Sequence, residues 1–498
     1  MASDDSVDKR EWNLERETEY RFELDPDSSL AIKAGLPNGV VKGHAEVFGA
    51  ELAANRPYIF GQECKAAIYT WEGCTIEMSG HPSTEYVSEE TPMVPYGNVH
   101  YSFEKMRVLA LSQLRGSPVP ASERDKPAEP PRVLVVGPEN SGKTTLCKIL
   151  TNYAVRMGQG WSPLLVNLDP AEGGWAAPGA IGVTPVHTPL PTSTPASPLG
   201  TAATSAPTAL SSNALLPLAY WYGHAETKRN PLLMERIIRN IGENIKDKYQ
   251  AHPEGKDKKS PAFQAAGFIV DTPSSFATGS GSNEERQRLI KATIDAFKIN
   301  TILVVGHEKL NVELQRAYGS QITVVKVPKS GGVVELDYLY RERVHKSQLH
   351  AYFYGQVIPP PAGITSASFG SETLVLSPSS SILNFDDLSI YRIGAESMAP
   401  SSALPIGAAR VVSETQAVPV DPSSPGSGLL NAVLAILATP STADDAERYD
   451  EEILDLSVSG FVVVTNIDMP NRKMTILSPN QGSIVGRTAV IGSYEWQE

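Results

Sequence analysis

Alternating polar and apolar positions mark the first hundred residues of the chain as rich in short β-strands. The clearest alternation lies in residues 20–24 (YRFEL), and residues 67–71 (AIYTW) and 75–78 (TIEM) are further predicted strands between Gly and Pro turns. A helical spacing of apolar residues follows over 98–115, and a linker rich in proline and charge comes after it. We therefore predict a β-sandwich with a linking helix as the first domain, residues 1–118.

From residue 132 the pattern changes to near-continuous apolar strands that alternate with helical patterns. The predicted strands are residues 132–136, 164–168, 267–271, 301–305 and 322–327. The predicted helices are residues 143–157, 231–249, 284–297, 308–317 and 336–350. Apolar strands that alternate with helices are typical of a parallel sheet covered on both faces. We therefore predict a central α/β domain over residues 119–355.

One segment interrupts this alternation. Residues 186–212 are almost entirely Thr, Pro, Ser, Ala and Leu. Such a composition buries too little apolar surface to offset the entropy cost of ordering the chain. We predict that this segment is a disordered insertion in the central domain.

The pattern becomes β again after the prolines at 359–361. Residues 461–465 (FVVVT) and 473–477 (KMTIL) predict a hairpin around an Asp-Met-Pro-Asn turn. Residues 397–428, rich in Pro, Ser and Ala, predict a long loop. A small β domain is therefore expected over residues 356–498. Together the three regions predict a multidomain α/β protein whose central parallel sheet is flanked by an N-terminal β-sandwich and a C-terminal β domain.

The composition limits the classes of function. The formal net charge is −13, so the surface as a whole does not attract nucleic acid, and any RNA contact has to be local or supplied by a partner. The three cysteines, Cys64, Cys74 and Cys147, are too few for a disulfide framework and fit a reducing compartment. No run of 18 apolar residues occurs, and the acidic start MASDD is unlike a signal peptide. We expect a soluble intracellular protein with no membrane contact.

A phosphate-binding motif lies between the first strand and the first helix of the central domain. Residues 137–145 (GPENSGKTT) match the P-loop pattern Gly-x4-Gly-Lys-Thr in its strand–loop–helix context. Backbone N–H groups of such a loop bind phosphate oxygens, Lys143 would reach the β- and γ-phosphates, and the hydroxyl of Thr144 would ligate Mg²⁺. The candidate nucleotide-binding residues here are Gly137, Asn140, Ser141, Gly142, Lys143, Thr144 and Thr145.

The acidic partner that a P-loop needs has two candidates. Asp169 ends the predicted strand 164–168, and Asp271 ends the strand 267–270. From the pattern alone they are equally good, and either could instead cap the turn that follows its strand. We favour Asp169, because its strand follows the P-loop strand after a single crossover helix and is expected to lie beside it.

Several further segments fall in the order of one known family. They are residues 15–22 (ERETEYRF), 47–52 (VFGAEL), the P-loop, Asp169 followed by Gly173-Gly174, Pro178-Gly179, 329–334 (KSGGVV) and 352–355 (YFYG). On these segments the chain resembles, as a fungal-like divergent member, the Clp-type subunit of the mRNA cleavage and polyadenylation machinery, which is grouped with eukaryotic RNA 5′-hydroxyl kinases. The resemblance covers nearly the whole chain except the insertion.

This resemblance implies a nuclear protein that binds ATP with Mg²⁺. It carries Glu19 and Lys65 over as nucleotide contacts from the β-sandwich, which helps to hold the adenine. It implies that Thr144, together with Asp169 through water, holds Mg²⁺, and that Asp169 orients or deprotonates the acceptor hydroxyl in members that are active. The implied partners are the cleavage-factor subunit that binds the RNA polymerase II C-terminal domain and other 3′-end processing factors.

The chain departs from the active members of this family in a lid helix. Positions that carry arginines there are His345, Gln348 and His350 here, whereas Arg341 and Arg343 remain further back. Arginines at such a centre neutralise charge on the transferring phosphoryl group, so their absence indicates an impaired transfer step.

Two other motifs of the active members also differ. A tryptophan that stacks on RNA is replaced by residues 272–276 (TPSSF), and an Asp-x-Gly-Gln-Gly motif is Asp-Pro-Ala-Glu-Gly-Gly over 169–174. The ATP-binding half is therefore intact while the acceptor half is altered.

Two functions from different classes remain open on this evidence. In the first, the chain is an ATP-loaded, non-catalytic subunit needed for pre-mRNA cleavage in 3′-end formation. In the second, it is an active polynucleotide 5′-hydroxyl kinase in which Lys143 and Asp169 are catalytic and Arg341 or Arg343 supplies the lid charge. A generic P-loop ATPase or GTPase is a third reading. The strand around residues 304–308 (VVGHE) lacks the Asn-Lys-x-Asp guanine motif.

Overall fold

The computed structural model describes residues 9–35, 43–119, 128–200, 217–249, 261–278, 283–361, 374–394, 415–438, 452–479 and 482–497. The N-terminal domain contains β1 (Lys9–Leu14), β2 (Thr18–Glu23), β3 (Leu30–Ala34), β4 (Ala45–Val47), β5 (Ala50–Leu52), β6 (Pro57–Phe60), β7 (Lys65–Thr70), β8 (Cys74–Ser79) and β9 (Thr84–Ser88). They form two sheets, in the orders β1-β8-β3-β6 and β5-β4-β7-β2-β9. Tyr20, Phe22, Phe60 and Ile68 are buried between the sheets, which confirms the predicted β-sandwich.

Helix α1 (Met93–Leu114) leads from the sandwich to the central domain. It begins five residues before the predicted start at 98, because Pro95 falls in its first turn, where a missing N–H group is tolerated. Phe103 and Ala110 of this helix are buried as the apolar spacing indicated.

The described part of the central domain contains all the strands and α-helices that the pattern predicted, together with two further strands and one further α-helix. Its strands are β10 (Arg132–Val136), β11 (Leu164–Asn167), β12 (Ala180–Pro185), β13 (Leu218–Trp221), β14 (Phe268–Asp271), β15 (Thr301–Val305) and β16 (Thr323–Val327). Its helices are α2 (Lys143–Arg156), α3 (Pro231–Tyr249), α4 (Pro261–Ala266), α5 (Asn283–Phe297), α6 (Glu308–Tyr318) and α7 (Tyr338–Tyr354). Strands β12 and β13 and the short helix α4 were not predicted.

The central sheet is mixed rather than wholly parallel. Its order is β13-β12-β11-β14-β10-β15-β16, and β12 and β13 run antiparallel to their neighbours. The prediction of a parallel sheet is therefore wrong at this edge. The connection from β11 to β12 contains no helix, and without a crossover helix the chain returns in the antiparallel direction.

Part of the predicted insertion is ordered. Residues 186–200 are described, and Val186, Leu190 and Leu199 are buried in the same core as Leu146 of helix α2. A few apolar side chains in this segment therefore pack on the core around helix α2, and the prediction of disorder is wrong for 186–200. The rest of the predicted insertion lies outside the described residues.

In the described residues, the C-terminal domain has a seven-stranded sheet and a separate antiparallel pair of short strands. Strands β17 (Gly355–Gln356) and β18 (Leu374–Val375) precede β19 (Ser379–Asn384), β20 (Leu388–Ile393), β21 (Ala417–Pro419), β22 (Ala432–Leu437), β23 (Val458–Asp468), β24 (Lys473–Ser478) and β25 (Arg487–Glu495). The sheet order is β19-β24-β23-β22-β25-β20-β21, and β23 and β24 form the predicted hairpin. Strand β21 falls within the predicted loop 397–428, of which 397–414 lies outside the described residues.

Both outer domains are bonded to the central one. Arg156 of α2 pairs with the buried Glu46 of the sandwich at 2.6 Å, and the Tyr96 hydroxyl donates to the carbonyl of Pro328 at 2.8 Å. On the other side, Arg236 of α3 pairs with Asp455 at 2.6 Å. The nucleotide-binding motif therefore lies in a domain held on both sides.

Candidate nucleotide-binding site

The P-loop has the backbone conformation that anion binding requires. It connects β10 to α2, and both Asn140 (φ 51) and Gly142 (φ 84) have left-handed conformations. Gly137 has no room for a side chain, since an added Cβ would lie 2.7 Å from the Ser141 hydroxyl. The loop and the first turn of α2 thus direct successive N–H groups to one point, where phosphate oxygens bind.

Lys143 is held at the centre of this loop. Its side chain is buried, and Nζ donates a hydrogen bond of 3.0 Å to the carbonyl of Pro138. The ammonium group lines the adjoining cavity, where it can bind phosphate oxygens.

The acidic residue bonded to the P-loop is Asp271. The Thr144 hydroxyl donates to Oδ2 of Asp271 at 2.6 Å, because β14, which ends at Asp271, pairs directly with β10. Strand β11 lies one position further out, on the far side of β14. The argument that placed Asp169 on the neighbouring strand is therefore wrong. Sheet order cannot be read from chain order here.

Asp169 nevertheless faces the same centre. Its Oδ1 accepts from the N–H group of Ala171 at 3.0 Å. Burial and the Glu172 carboxylate raise the pKa of Asp169 to about 6, against the Lys143 ammonium, which lowers it. Burial also raises the pKa of Asp271 to about 7, and Lys143 and the Thr144 hydroxyl oppose this rise.

The oxygens at this centre fit a divalent cation bound together with phosphate. Oδ1 of Asp271 is buried with no hydrogen-bond partner among the described residues, next to the Thr144 hydroxyl. In the described part of the chain no three His, Cys, Asp or Glu side chains form a metal cluster on their own. A triphosphate and water would have to complete the oxygen ligands that Mg²⁺ prefers.

A cavity of about 1500 Å³ extends from the P-loop between the sandwich and the lid helix α7. Glu19 and Lys65 both line it, although they lie far from the P-loop in sequence. Glu19 accepts from Nε of Arg21 at 2.6 Å and from the Thr91 hydroxyl at 3.1 Å, and Lys65 forms an ion pair with Glu23. The structure thus places both residues at the same cavity as the P-loop, and their contact with a nucleotide stays a prediction.

Sequence reasoning missed two parts of the cavity wall. Arg21 is buried and its guanidinium lies 5.6 Å from the Tyr86 ring; it was assigned no role, although it lies in the segment 15–22 that supports the resemblance. Lys148 of α2 also lines the cavity, as do Thr192, Thr194, Pro195 and Pro198. A lysine five residues after Lys143, on the P-loop helix itself, was a signal that could have been followed.

The lid helix α7 contacts both the P-loop and the loop that follows β11. Arg341 donates to Oδ1 of Asn140 at 2.7 Å and pairs with Glu139 at 3.0 Å. His345 Nε2 lies 2.6 Å from the carbonyl oxygen of Ala171, within hydrogen-bonding distance.

The remaining lid positions point to different parts of the molecule. Gln348 is buried and donates to the carbonyl of Glu172 at 2.9 Å. Arg343 pairs with Glu63 of the sandwich at 2.7 Å, and His350 stacks on Tyr354 with ring centroids 4.9 Å apart. Of the two remaining arginines, Arg341 is therefore the one at the phosphate site.

The segment that replaces the stacking tryptophan offers no exposed ring. Thr272 is buried and donates to the carbonyl of Val135 at 2.7 Å, and Phe276 is fully buried in the core. Ser274 and Ser275 line the cavity instead. A base could not stack on Phe276 in this arrangement.

These features define a P-loop protein in which a β-sandwich and the P-loop domain line one cavity. Three family descriptions match the three domains. They are "N-terminal beta-sandwich domain of polyadenylation factor" over residues 13–110, "mRNA cleavage and polyadenylation factor CLP1 P-loop" over 137–355 and "Pre-mRNA cleavage complex II protein Clp1" over 376–498. The chain belongs to the Clp1 family of mRNA cleavage and polyadenylation factors.

Individual relatives agree with this assignment. The mRNA cleavage and polyadenylation factor CLP1 of Laccaria bicolor is 67% identical over 502 residues, with 100% of both chains covered. A protein CLP1 homolog of Arabidopsis thaliana is 33% identical, covering 99% of this chain and 95% of the relative.

Two solved structures share the fold. Wild-type Clp1p in complex with Pcf11p (454–563) has a TM-score of 0.74 at 22% identity, with 99% of both chains covered. A second structure, of the extended interface between Pcf11p and Clp1p and of a point mutant that loses ATP, has the same TM-score at 23% identity, covering 99% of this chain and 100% of the other. None of the helices in the described part of this chain has the length and apolar character of a membrane span.

Proposed function

We propose that this chain binds ATP with Mg²⁺ and serves as a non-catalytic subunit of the nuclear machinery that cleaves and polyadenylates pre-mRNA. The family assignment supports a role in mRNA cleavage and polyadenylation, and the P-loop supports the binding of ATP. The β-sandwich end of the cavity supports a contact between Glu19, Lys65 and the nucleoside, because both side chains present polar groups to the same space as the P-loop.

The main support for a non-catalytic role is the set of hydrogen bonds that the lid helix α7 makes. His345 and Gln348 stand where active members have arginines, and both lie against main-chain carbonyl oxygens of residues 171 and 172. Burial lowers the pKa of His345 below its usual value, so this imidazole is neutral at pH 7. These side chains attach α7 to the loop after β11 and supply no fixed positive charge to a transferring phosphoryl group.

The proposed partner is the cleavage-factor subunit that also binds the RNA polymerase II C-terminal domain. Relatives that share this fold have been solved with Pcf11p, and the proposal transfers that association to this chain. Other 3′-end processing factors would complete the assembly. The net charge of −13 makes extensive RNA binding by this chain unfavourable, so any RNA contact would be local.

The second candidate is an active polynucleotide 5′-hydroxyl kinase. Two observations favour it. Arg341 lies against Asn140 of the P-loop, close enough to contribute charge at the phosphates. The Asp169 carboxyl, with its pKa raised to about 6, also has a value suited to general base work.

The nucleotide carried by purified protein separates the two candidates. A non-catalytic subunit should retain ATP through purification, and Lys143→Ala should empty the site and lower the melting temperature. Lys291→Ala, at an exposed position of α5, is the matched control and should change neither. Finding mostly ADP, or a full site in Lys143→Ala, would contradict the proposal.

A further inference from the structure

A buried lysine fastens residues 190–199 to the P-loop helix. Nζ of Lys148 donates to the carbonyl of Pro191 at 2.6 Å, to the hydroxyl of Thr192 at 2.7 Å and to the carbonyl of Pro198 at 2.9 Å. An ammonium group has three donors, and here all three go to one short segment. We call residues 190–199 the wall segment.

Burial of the Lys148 ammonium group costs free energy, because the charge is removed from water. Lys148 is only 3% exposed, and burial lowers the pKa of its ammonium group to about 7. Lysines are almost never fully buried unless their donors are satisfied. A methionine at this position would fill similar space without the desolvation cost. What the lysine contributes is therefore its hydrogen bonds to the wall segment.

Asn152, one turn further along α2, continues the attachment. Its Nδ2 donates to the carbonyl of Leu190 at 3.2 Å and to that of Phe48 in the sandwich at 2.9 Å, and its Oδ1 accepts from the N–H group of Leu190 at 2.7 Å. One face of the P-loop helix therefore holds both the wall segment and a turn of the β-sandwich.

The far side of the wall segment meets the sandwich directly. The N–H group of Gly61 donates to the carbonyl of Ser193 at 2.8 Å. Gly61 has no room for a side chain, since an added Cβ would lie 2.8 Å from Cγ2 of Thr194. The segment is thus fixed between two domains.

The wall segment forms one side of the sandwich end of the cavity. Thr192, Thr194, Pro195 and Pro198 line it, together with the apolar or aromatic residues Phe22, Phe48, Ala66, Tyr69 and Tyr96 of the sandwich and α1. Lining residues from the central domain include the polar or charged Lys228, Ser274 and Arg286 and the apolar Leu289 and Leu310. A planar base needs apolar surface with a few polar groups, and the aromatic and apolar side chains around the wall segment provide it.

We propose that the wall segment is the nucleoside-binding wall of this site and that Lys148 and Asn152 are its positioning residues. The inference rests on the proposed binding of ATP and adds which segment of the central domain faces the base and ribose and what holds that segment in place. Lys148 acts on the nucleoside and not on the phosphates, because its three donors are taken up by the segment.

The test compares two ligands that differ in the nucleoside. Binding of ATP and of inorganic tripolyphosphate is measured for nucleotide-free full-length wild type and for Lys148→Met, which keeps most of the length of the side chain and removes the donors. ATP affinity should fall about tenfold, as expected when two or three buried hydrogen bonds to the wall are lost. Tripolyphosphate affinity should stay within a factor of two.

Thr192→Val provides a milder variant that keeps the lysine. It removes one of the three acceptors and should weaken ATP about threefold, again without an effect on tripolyphosphate. If Lys148→Met does not yield folded protein, this variant decides the question alone. As a second readout, hydrogen exchange of residues 190–199 should speed up in either variant.

Three outcomes would overturn the inference in different ways. Unchanged ATP affinity in the folded variants would remove the wall segment from the site. An equal loss of ATP and tripolyphosphate would mean that Lys148 supports the P-loop in general. Wild-type protein that binds tripolyphosphate but shows no preference for ATP would overturn the inference and the proposed ATP function together.

Discussion

The hydroxyl of Thr144 donates a 2.6 Å hydrogen bond to Asp271, the carboxylate that ends the strand next to the P-loop strand. Asp169, which chain order favoured, lies one strand further from the loop. The bond joins the two side chains that a P-loop uses around its metal ion. It therefore favours Asp271 over Asp169 as the acidic residue that would hold Mg²⁺.

Asp271→Asn should therefore weaken binding of ATP in the presence of Mg²⁺ by about tenfold or more, because a neutral amide is a poorer ligand for the metal and its water. The variant is isosteric and can still accept from Thr144, so the fold should be retained. Binding of ATP without metal should change much less. Calorimetric titration with and without Mg²⁺ measures both affinities, and Asp169→Asn is the matched comparison. A larger loss in Asp169→Asn would restore the assignment made from chain order.

The same buried carboxyl predicts how stability changes with pH. The pKa of Asp271 is about 7 when folded, against an ordinary value of 3.8. A group with a raised folded pKa binds protons more tightly in the folded state, so stability falls as pH rises from about 4 to about 7 and is constant above that. Nucleotide-free protein should therefore lose more melting temperature between pH 5 and pH 8 than Asp271→Asn does. The exposed acid Asp295, changed to Asn, is the control, and a slope unaltered by Asp271→Asn would contradict the assignment.

Much of the fold could be predicted from the sequence, because a parallel strand buried on both faces has a continuous apolar run that is hard to mistake. Strands β10, β11, β14 and β15 are examples. What could not be predicted was lateral order: chain order places Asp169 beside the P-loop, whereas β14 takes that position in the sheet.

Other parts of the site depend on tertiary packing that no local pattern encodes. Arg21 lies at the cavity, where it forms an ion pair with Glu19. The composition of residues 186–200 did not indicate that they pack on the core of the central domain. Glu19 and Lys65 were predicted by family resemblance only. As residues of ordinary strands, they carried no signal of their own.

Lys65→Ala should weaken ATP binding by about tenfold, since it removes a cation from the polar rim of the proposed nucleoside end. Lys65 lines the cavity while paired with Glu23, so the variant also leaves a carboxylate there. Lys33→Ala, in the other sheet of the sandwich, is the control and should bind ATP normally. Equilibrium titration with ATP checks both, and wild-type affinity in Lys65→Ala would take the sandwich out of the binding site.

Deletions within residues 186–212 should separate a packed part from a tolerant part. Replacing 188–199 with a short Gly/Ser linker removes Leu190 and Leu199 from the core and leaves the buried Lys148 without its acceptors. We therefore expect the melting temperature to fall by about 10 °C or more. Replacing 201–212, whose composition offers little core-forming surface, should change it by no more than about 3 °C. Thermal unfolding followed by circular dichroism measures both. Equal melting temperatures for the two deletions would show that the packing of 186–200 adds no stability.

The central claim is that this chain holds ATP and does not transfer its γ-phosphoryl group. The most direct measurement loads the protein with γ-labelled ATP, adds a large excess of 5′-hydroxyl RNA, and follows where the label goes. With His345 and Gln348 bonded to carbonyl oxygens in place of lid arginines, catalysis should lack a factor of about 10³ or more, so the label should remain in protein-bound ATP. Lys143→Ala should hold no label at all. Multiple turnovers onto RNA that Lys143→Ala abolishes would contradict the account and make Arg341 the next residue to test.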